Sequence, residues 1–359
     1  MAKRFLVPSL WAGWKPFGIG EIKPHHFFEI IKTFWENKRH PLYAWRLLTR
    51  GCCDGCSLGT TGMHDWTMSG IHLCTIRLNL LQLNTMPMMP WQRLENDLPA
   101  LRELSSTQLR HLGRLPYPMV RKRGEAGFRR VSWDEALDLI ATRLHETTPE
   151  RVAFYLTSRG LTNEVYYVAQ KVARFLGTNN IDNAARVCHS PSSVALKQTL
   201  GIGASSVSYT DWIGTDLLVF LGSNIANNQP VTTKYLYYAK KAGTKLAVVN
   251  PFREPGLTRY WVPSVPESAL MGTKLMDDFF QVNVGGDVAF LNGVLKYLIE
   301  QDWVDHAFID AHTTGWDEMA TSLAQQDWET LERSGGQTRD DIRRFAEMIH
   351  AARTGILVW

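Results

Sequence analysis

The chain has 359 residues, of which 45% are hydrophobic and 21% charged, the balance of a globular protein with room for two or three domains. A net charge of +4 is too small to argue for a nucleic-acid partner, and no apolar run reaches the length of a membrane span. Met1 to Pro8 lacks the apolar stretch of a secretory signal, and Lys3-Arg4 is no twin-arginine pair, so the cytoplasm is the default expectation.

Residues 1–48 read as an aromatic, Pro-interrupted extension with one predicted helix from Phe27 to Trp35. Residues 49–130 follow as a Cys-rich region. Four of the five cysteines fall between Cys52 and Cys74, and clustering of that kind in a chain this long argues for a metal site over disulfides. Cys53-Asp54-Gly55-Cys56 places two thiolates on a tight turn, and Cys74 supplies a third from a distant loop. Spacing alone leaves zinc, an iron–sulfur cluster and thiol redox chemistry open. Zinc is the commonest of these, with Cys52, His64 or His72 as a fourth ligand. The basic run Arg121-Lys122-Arg123 lies among prolines and reads as the solvated face of a hairpin.

From Val131 the pattern changes. Ser132 caps a helix whose first turn carries Asp134 and Glu135, where the helix dipole favours acids. Val152 to Leu156 reads as a buried strand, Asn163 to Leu176 as an amphipathic helix, and Leu217 to Leu221 and Leu246 to Val249 as further strands. Helices separate them at 232–242 and 287–301. Strand, turn and helix in succession imply a parallel α/β sheet. Domain limits are drawn at 131–183 for the first part of one α/β domain and 184–350 for a nucleotide-binding α/β domain. Residues 351–359 are expected to start a strand returning to the first of these. That last segment, Gly355 to Trp359, reads as a buried central strand without a following crossover, so a longer subunit is expected.

Loops at the carboxyl ends of parallel strands suit phosphates and ring systems. Three carry candidates. Ser158-Arg159-Gly160 leads to Asn163, where an ordinary helix cap is the competing reading. After Leu221, Gly222 frees the backbone while Ser223 and Asn224 offer hydrogen bonds, with Gln229-Pro230 close behind. After Val249 come Asn250 and Pro251. Further on, Gly286-Asp287 opens a helix, and Asp287 is either a ligand contact or an N-cap. Gly201-Ile202-Gly203 half-matches a dinucleotide fingerprint, but it follows a helical stretch and is rejected.

Cys188 is the most informative residue. Asn179 to Val187 forms a polar turn after a helix ending near Gly177, and Cys188-His189 then enters a new helix at Ser190-Pro191. A thiol beside an imidazole can ligate a soft metal and move protons, although on the residues alone an inert Cys beside a surface His is the commoner state.

This segment resembles the metal-ligating stretch of molybdopterin-dependent oxidoreductases, in particular their formate-dehydrogenase-like alpha subunits. The same likeness runs in order through Cys53 to Arg77, the link from Pro118 to Leu137, the Gly222-Ser223-Asn224 turn, Asn250-Pro251 and Gly286-Asp287. It covers residues 49 to 359. The resemblance implies parallel-sheet α/β domains preceded by a small Cys-rich iron–sulfur domain. It implies a molybdenum bis(molybdopterin guanine dinucleotide) cofactor with Cys188 on the metal and His189 shuttling a proton. It further implies a [4Fe–4S] cluster on Cys53, Cys56 and Cys74, with Arg77 between cluster and pterin. Cofactor contacts fall on Asn163, Gly222, Ser223, Asn224, Gln229, Asn250, Pro251, Gly286 and Asp287. The substrate is expected to be formate or a similar oxyanion, with an electron-transfer protein as partner. Four positions depart from the family. Thr60 stands where a cluster Cys is usual, Arg77 where Lys is usual, Gln229 where His is usual, and Asn250 where Asp is usual. A nitrate-reductase-like enzyme, or a zinc-binding or assembly module on a degenerate oxidoreductase fold, are the alternatives.

Overall fold

A computed structural model describes residues 31, 34–50, 62–64, 70–72, 75–96, 98–157 and 161–359. Residues 31 and 34–36 are helical, at the end of the helix expected from Phe27. The described residues form two compact units, one of 207–359 with 31, 34–35 and parts of 45–76, the other of 77–206 with 36–44. The division therefore falls at 206/207, whereas the sequence places it at 183/184. The Cys-rich region is itself divided at 76/77. The Cys188 segment and the helix after it belong with the residues that precede them, because β4, described next, lies directly before Cys188 and has its partner strand in the same unit.

In the unit of 77–206, β1 (Met119–Val120) and β2 (Arg129–Arg130) form an antiparallel hairpin, with Arg121 to Arg123 exposed at its turn as expected. Ser132 caps α1 (Trp133–Glu146) by accepting from the Glu135 N–H at 3.0 Å. Next come β3 (Phe154–Leu156), α2 (Asn163–Phe175), β4 (Ile181–Asn183) and α3 (Ser190–Leu200). β3 and β4 pair in parallel, Phe154 opposite Ile181. β4 is absent from the sequence reading, since Ile-Asp-Asn has the polarity of a turn. β3 is not buried either: Tyr155 is 66% exposed. The helices leave Leu137, Ile140, Tyr167 and Phe175 open, the last at 89% exposure, an apolar surface of the kind that other protein covers.

The unit of 207–359 holds β5 (Leu217–Leu221), α4 (Thr233–Lys241), β6 (Lys245–Val249), β7 (Arg259–Tyr260), β8 (Thr273–Lys274) and β9 (Asp278–Phe280). α5 (Asp287–Glu300), α6 (Trp316–Ala324), α7 (Trp328–Gly335), α8 (Arg339–Ala351) and β10 (Gly355–Val358) follow, with shorter helices between them. Its main sheet is parallel throughout, in the order β10-β5-β6-β9. Side chains alternate between its faces, as the pleat requires. Leu218, Phe220, Leu246 and Val248 pack with Tyr235, Leu236 and Ala239 of α4. Leu217, Val219, Ala247, Val249 and Phe280 pack with Phe290 and Val294 of α5 and with Ile342 and Phe345 of α8. Burial on both faces explains why these strands read as continuous apolar runs. Among the described residues, no helix is long and apolar enough to cross a membrane.

β10 is the outcome that differs most from expectation. It joins β5, with Gly355 opposite Leu217 and Val358 opposite Phe220, and so extends the nucleotide-type sheet instead of returning to β3. It lies at the edge, with Leu357 53% exposed. The cause is local. The Asp216 carboxylate accepts from the backbone N–H groups of Arg353 at 3.0 Å and Thr354 at 3.1 Å, fixing the turn that delivers β10 to β5. The Thr354 and Arg353 N–H groups also hold the Asp216 carboxyl below its ordinary range. A carboxyl so depressed contributes stability above its unfolded pKa and loses it as pH falls through the folded value. The protection of the Ile356 to Val358 amides, taken as the exchange rate relative to the intrinsic rate at each pH, is therefore expected to hold through neutral pH and to fall only below the ordinary carboxylate range. Asp216→Ala should show the lower protection at neutral pH, with the difference from wild type shrinking below the carboxylate range.

Candidate cofactor and metal site

Parallel strands place all their carboxyl ends on one edge of a sheet, and the candidate residues follow that rule in each unit. In the larger sheet β5 leads to Gly222, β6 to Asn250 and β9 to the loop ending at Gly286. The edge is continuous, because the ladder runs one residue past each strand. Gly222 N–H donates to Val249 O at 3.0 Å and Asn250 N–H to Phe280 O at 3.1 Å. Gln281 Nε2 then donates to Pro251 O at 3.2 Å. β6 lies on one side of β5 and β10 on the other, so the chain changes direction at β5. Ligands of open α/β sheets bind in the crevice at such a switch, and the loop there is Gly222-Ser223-Asn224.

Gly222 has φ +64°, a left-handed conformation that favours glycine, and a Cβ built on it meets no atom within 4 Å. It faces open space. Asn224 opens the short helix Ile225–Asn228, and its Oδ1 accepts from Asn227 Nδ2 at 2.9 Å. Gln229 ends that helix and its carbonyl accepts from Thr232 Oγ1 at 2.6 Å, with Pro230 buried behind. Asn250 is 7% exposed. These residues form one lip. Gly286 has a structural duty as well: a Cβ there would lie 2.7 Å from Ser334 O and 3.0 Å from Gly335 O, so only glycine lets the loop close on the end of α7. Gly286 is itself the N-cap of α5, which makes Asp287 a first-turn acid and not the cap.

Sequence reasoning missed Glu254 on the loop after β6. It is the N-cap of the helix Pro255–Thr258, without a side-chain capping bond. Its Oε2 is closed off from solvent with no hydrogen-bond partner among the described residues, and burial pushes its carboxyl up from the ordinary range. An acid just ahead of Pro255 was the available signal, but it reads as a routine helix start.

In the smaller sheet, β3 leads towards Asn163 and β4 towards Cys188. Asn163 is the exposed first residue of α2, capped by Thr162. Asn183 at the end of β4 caps the following turn, its Oδ1 accepting from the Ala185 N–H at 2.8 Å. The Cys188 N–H donates to Ala184 O at 3.1 Å and to Ala185 O at 3.2 Å, which holds the residue directly before the His189 N-cap of α3. The thiol is free and exposed, and His189 is exposed beside it and makes no capping bond. The Asn183 N–H and then the Arg186 guanidinium hold the Asp182 carboxyl below its ordinary range, with Arg186 Nε at 2.7 Å. Among the described residues no three His, Cys, Asp or Glu side chains come together to hold a metal ion, so Cys188 is a single protein donor.

Cys53, Cys56 and Cys74 lie outside the described residues, as do Cys52 and Ser158 to Gly160. Arg77 lies on the helix Thr75–Thr85. Near this region Lys234 of α4 is buried, which pushes its ammonium down, and its Nζ donates to Ile71 O at 3.0 Å. That bond fixes the segment just before Cys74 against the larger sheet's helix. For the Cys188 turn, Asn183→Ala should cost about 1 kcal/mol, the usual value of a lost cap. It should also speed alkylation of Cys188, read by peptide mass spectrometry, because the turn then opens more often.

The family model for molybdopterin oxidoreductase matches residues 114–324. Protein YdeP of Escherichia coli (strain K12) is 31% identical over 278 residues, covering 74% of this chain and 36% of its own length. The F420-dependent formate dehydrogenase 1 subunit alpha of Methanococcus maripaludis is 33% identical over 247 residues, 68% of this chain and 34% of that protein. Among solved structures, acetylene hydratase from Pelobacter acetylenicus superposes with a TM-score of 0.55 at 20% identity, covering 86% of this chain and 39% of that one; this likeness concerns the fold. The chain thus spans about a third of the length of these relatives. With a matching model across more than half its residues, a parallel sheet whose carboxyl edge carries the Gly222 turn, and an exposed Cys188 entering a helix, the chain belongs to the molybdopterin oxidoreductase family.

Proposed function

We propose that this chain is the N-terminal part of a formate-dehydrogenase-like catalytic subunit that holds molybdenum in a bis(molybdopterin guanine dinucleotide) cofactor. The observation that carries the proposal is the Cys188 turn. An exposed thiol stands there as a lone donor, backed by two backbone hydrogen bonds. A lone thiolate suits a soft metal whose remaining ligands come from an organic cofactor. The open space at Gly222 and the amides of Asn224, Gln229 and Asn250 fit a nucleotide at the switch point. The exposed apolar helices α1 and α2, and the relatives' greater length, support a longer subunit around this chain.

When bound, the molybdenum centre supplies two-electron redox chemistry. The protein's own residues orient and protect it. Cys188 fixes the metal relative to β4 through the Asn183-capped turn. His189, adjacent and without a capping role, accepts the substrate proton at an imidazole nitrogen and passes it to solvent. Gly222, Ser223 and Asn224, with Gln229, Asn250 and Pro251, hold the nucleotide end, while Asn163 serves at the smaller sheet. Asp287 adds a first-turn acid at the same edge as Gly222. Formate or a similar oxyanion is the substrate class. The cluster assignment to Cys53, Cys56 and Cys74, with Arg77 beside it and an electron-transfer protein as partner, rests on the family resemblance. A soluble cytoplasmic setting accompanies it.

Metal analysis by mass spectrometry on anaerobically purified, full-length protein is the test. Near-stoichiometric molybdenum with about four iron atoms is expected. Cys188→Ala should abolish activity and leave iron unchanged. Zinc alone, without visible absorption, would remove the redox chemistry and leave the fold.

A further inference from the structure

Lys234 has no part in the chemistry above, yet it is a buried cation without a counter-charge among the described residues. It is the second residue of α4 and only 5% exposed. Its Nζ donates to Ile71 O at 3.0 Å. Burial is the sole cause that moves its ammonium down, so no nearby carboxylate offsets the loss of water. One carbonyl satisfies one of the three donors of an ammonium, and a buried ion needs an opposite charge as well. Two arrangements remove the penalty: the amine sheds its proton, or an anion is held within range.

The setting favours an anion. Gly70, at φ +88°, keeps the approach to Ile71 open, since a Cβ there would stand 3.4 Å from Lys234 Nζ. The segment that receives the ammonium is itself fixed. His72 N–H donates to Met63 O and Met63 N–H to Leu48 O, each at 2.7 Å. The ammonium is thereby pinned to a firm stretch of chain three residues before Cys74. Three residues reach ~11 Å at full extension, so a centre on Cys74 lies within electrostatic range. Iron–sulfur centres held by thiolates are net anions, and their potentials follow the charges and hydrogen bonds around them. A buried cation lacking a carboxylate fits such a group.

We propose that Lys234 is the counter-charge of the thiolate centre in the Cys-rich region, a positioning residue outside the ligand set that favours the reduced state. On reduction the centre gains one of the two electrons released at molybdenum and its negative charge grows by one. No bond forms or breaks, and the ammonium keeps its proton. With the cation about 10 Å away and an effective dielectric of about 20, the one-electron equilibrium moves about tenfold. The proposal rests on the cluster reading of Cys53, Cys56 and Cys74.

Redox titration with dithionite, followed by electron paramagnetic resonance on anaerobically purified full-length protein, tests it in wild type, Lys234→Met and Lys234→Arg. Lys234→Met removes the charge and keeps most of the volume. It should disfavour reduction about tenfold, ~59 mV downward for one electron, while Lys234→Arg stays close to wild type. In protein stripped of iron by chelation the effect should reverse. Lys234→Met should there melt at or above wild type, because an uncompensated charge is gone. Iron lost from Lys234→Met but kept by Lys234→Arg also supports the proposal, since charge then holds the centre. Iron lost from both, or a potential unmoved in Lys234→Met with iron intact, overturns the proposal while the cluster reading stands. Wild type without iron and without a reduced-cluster signal overturns both.

Discussion

The nucleotide lip of the candidate site depends on one backbone constraint, the parallel ladder of β10, β5, β6 and β9. Parallel pairing sends each strand's carboxyl end to the same edge. The bonds from Gly222 N–H to Val249 O and from Asn250 N–H to Phe280 O carry the ladder past the strands into the loops. Those two bonds turn three separate segments into one lip. β10 on the far side of β5 makes the crevice at Gly222 a switch point, and Asp216 holds β10 there. The two apolar cores on either face then hold the lip in place, since β5, β6 and β9 each contribute side chains to both.

The smaller sheet repeats the geometry at reduced scale. β3 and β4 each lead from a carboxyl end to a candidate residue, Asn163 and Cys188. Here the positioning force is capping and not a core. Asn183 on the turn and the two bonds from the Cys188 N–H set the thiol at the amino end of α3. An arrangement of this kind leaves the thiol accessible and its backbone fixed, which is what a metal ligand requires. The helices around it bury little of their apolar surface among the described residues, in contrast to α5 and α8.

Much of this is legible in the sequence, and the exceptions have physical causes. β5, and β6 from Leu246 onward, are apolar because both faces are covered, so the pattern finds them. The Ser132 cap and the hairpin at 119–130 follow from local chemistry and appear as read. β4 escaped because a three-residue polar strand has no pattern of its own; its pairing with β3 defines it. β10 is legible as a strand but its partner is not, since pairing with β5 depends on the Asp216 contacts 137 and 138 residues away in sequence. Gly286 is expected as a ligand contact, and its role in closing the loop on the carbonyls at the end of α7 leaves no mark in the sequence. Glu254 was invisible because desolvation is a property of packing and leaves no mark in spacing.

Hydrogen exchange of the chain with and without GDP addresses the central claim, that the carboxyl edge of the β10-β5-β6-β9 sheet is the nucleotide site. Protection at 222–229, 250–254 and 281–287, with none at the opposite edge around 243–245 and 276–277, is the predicted footprint. Protection at the opposite edge, or a footprint confined to the hairpin at 119–130, would contradict it.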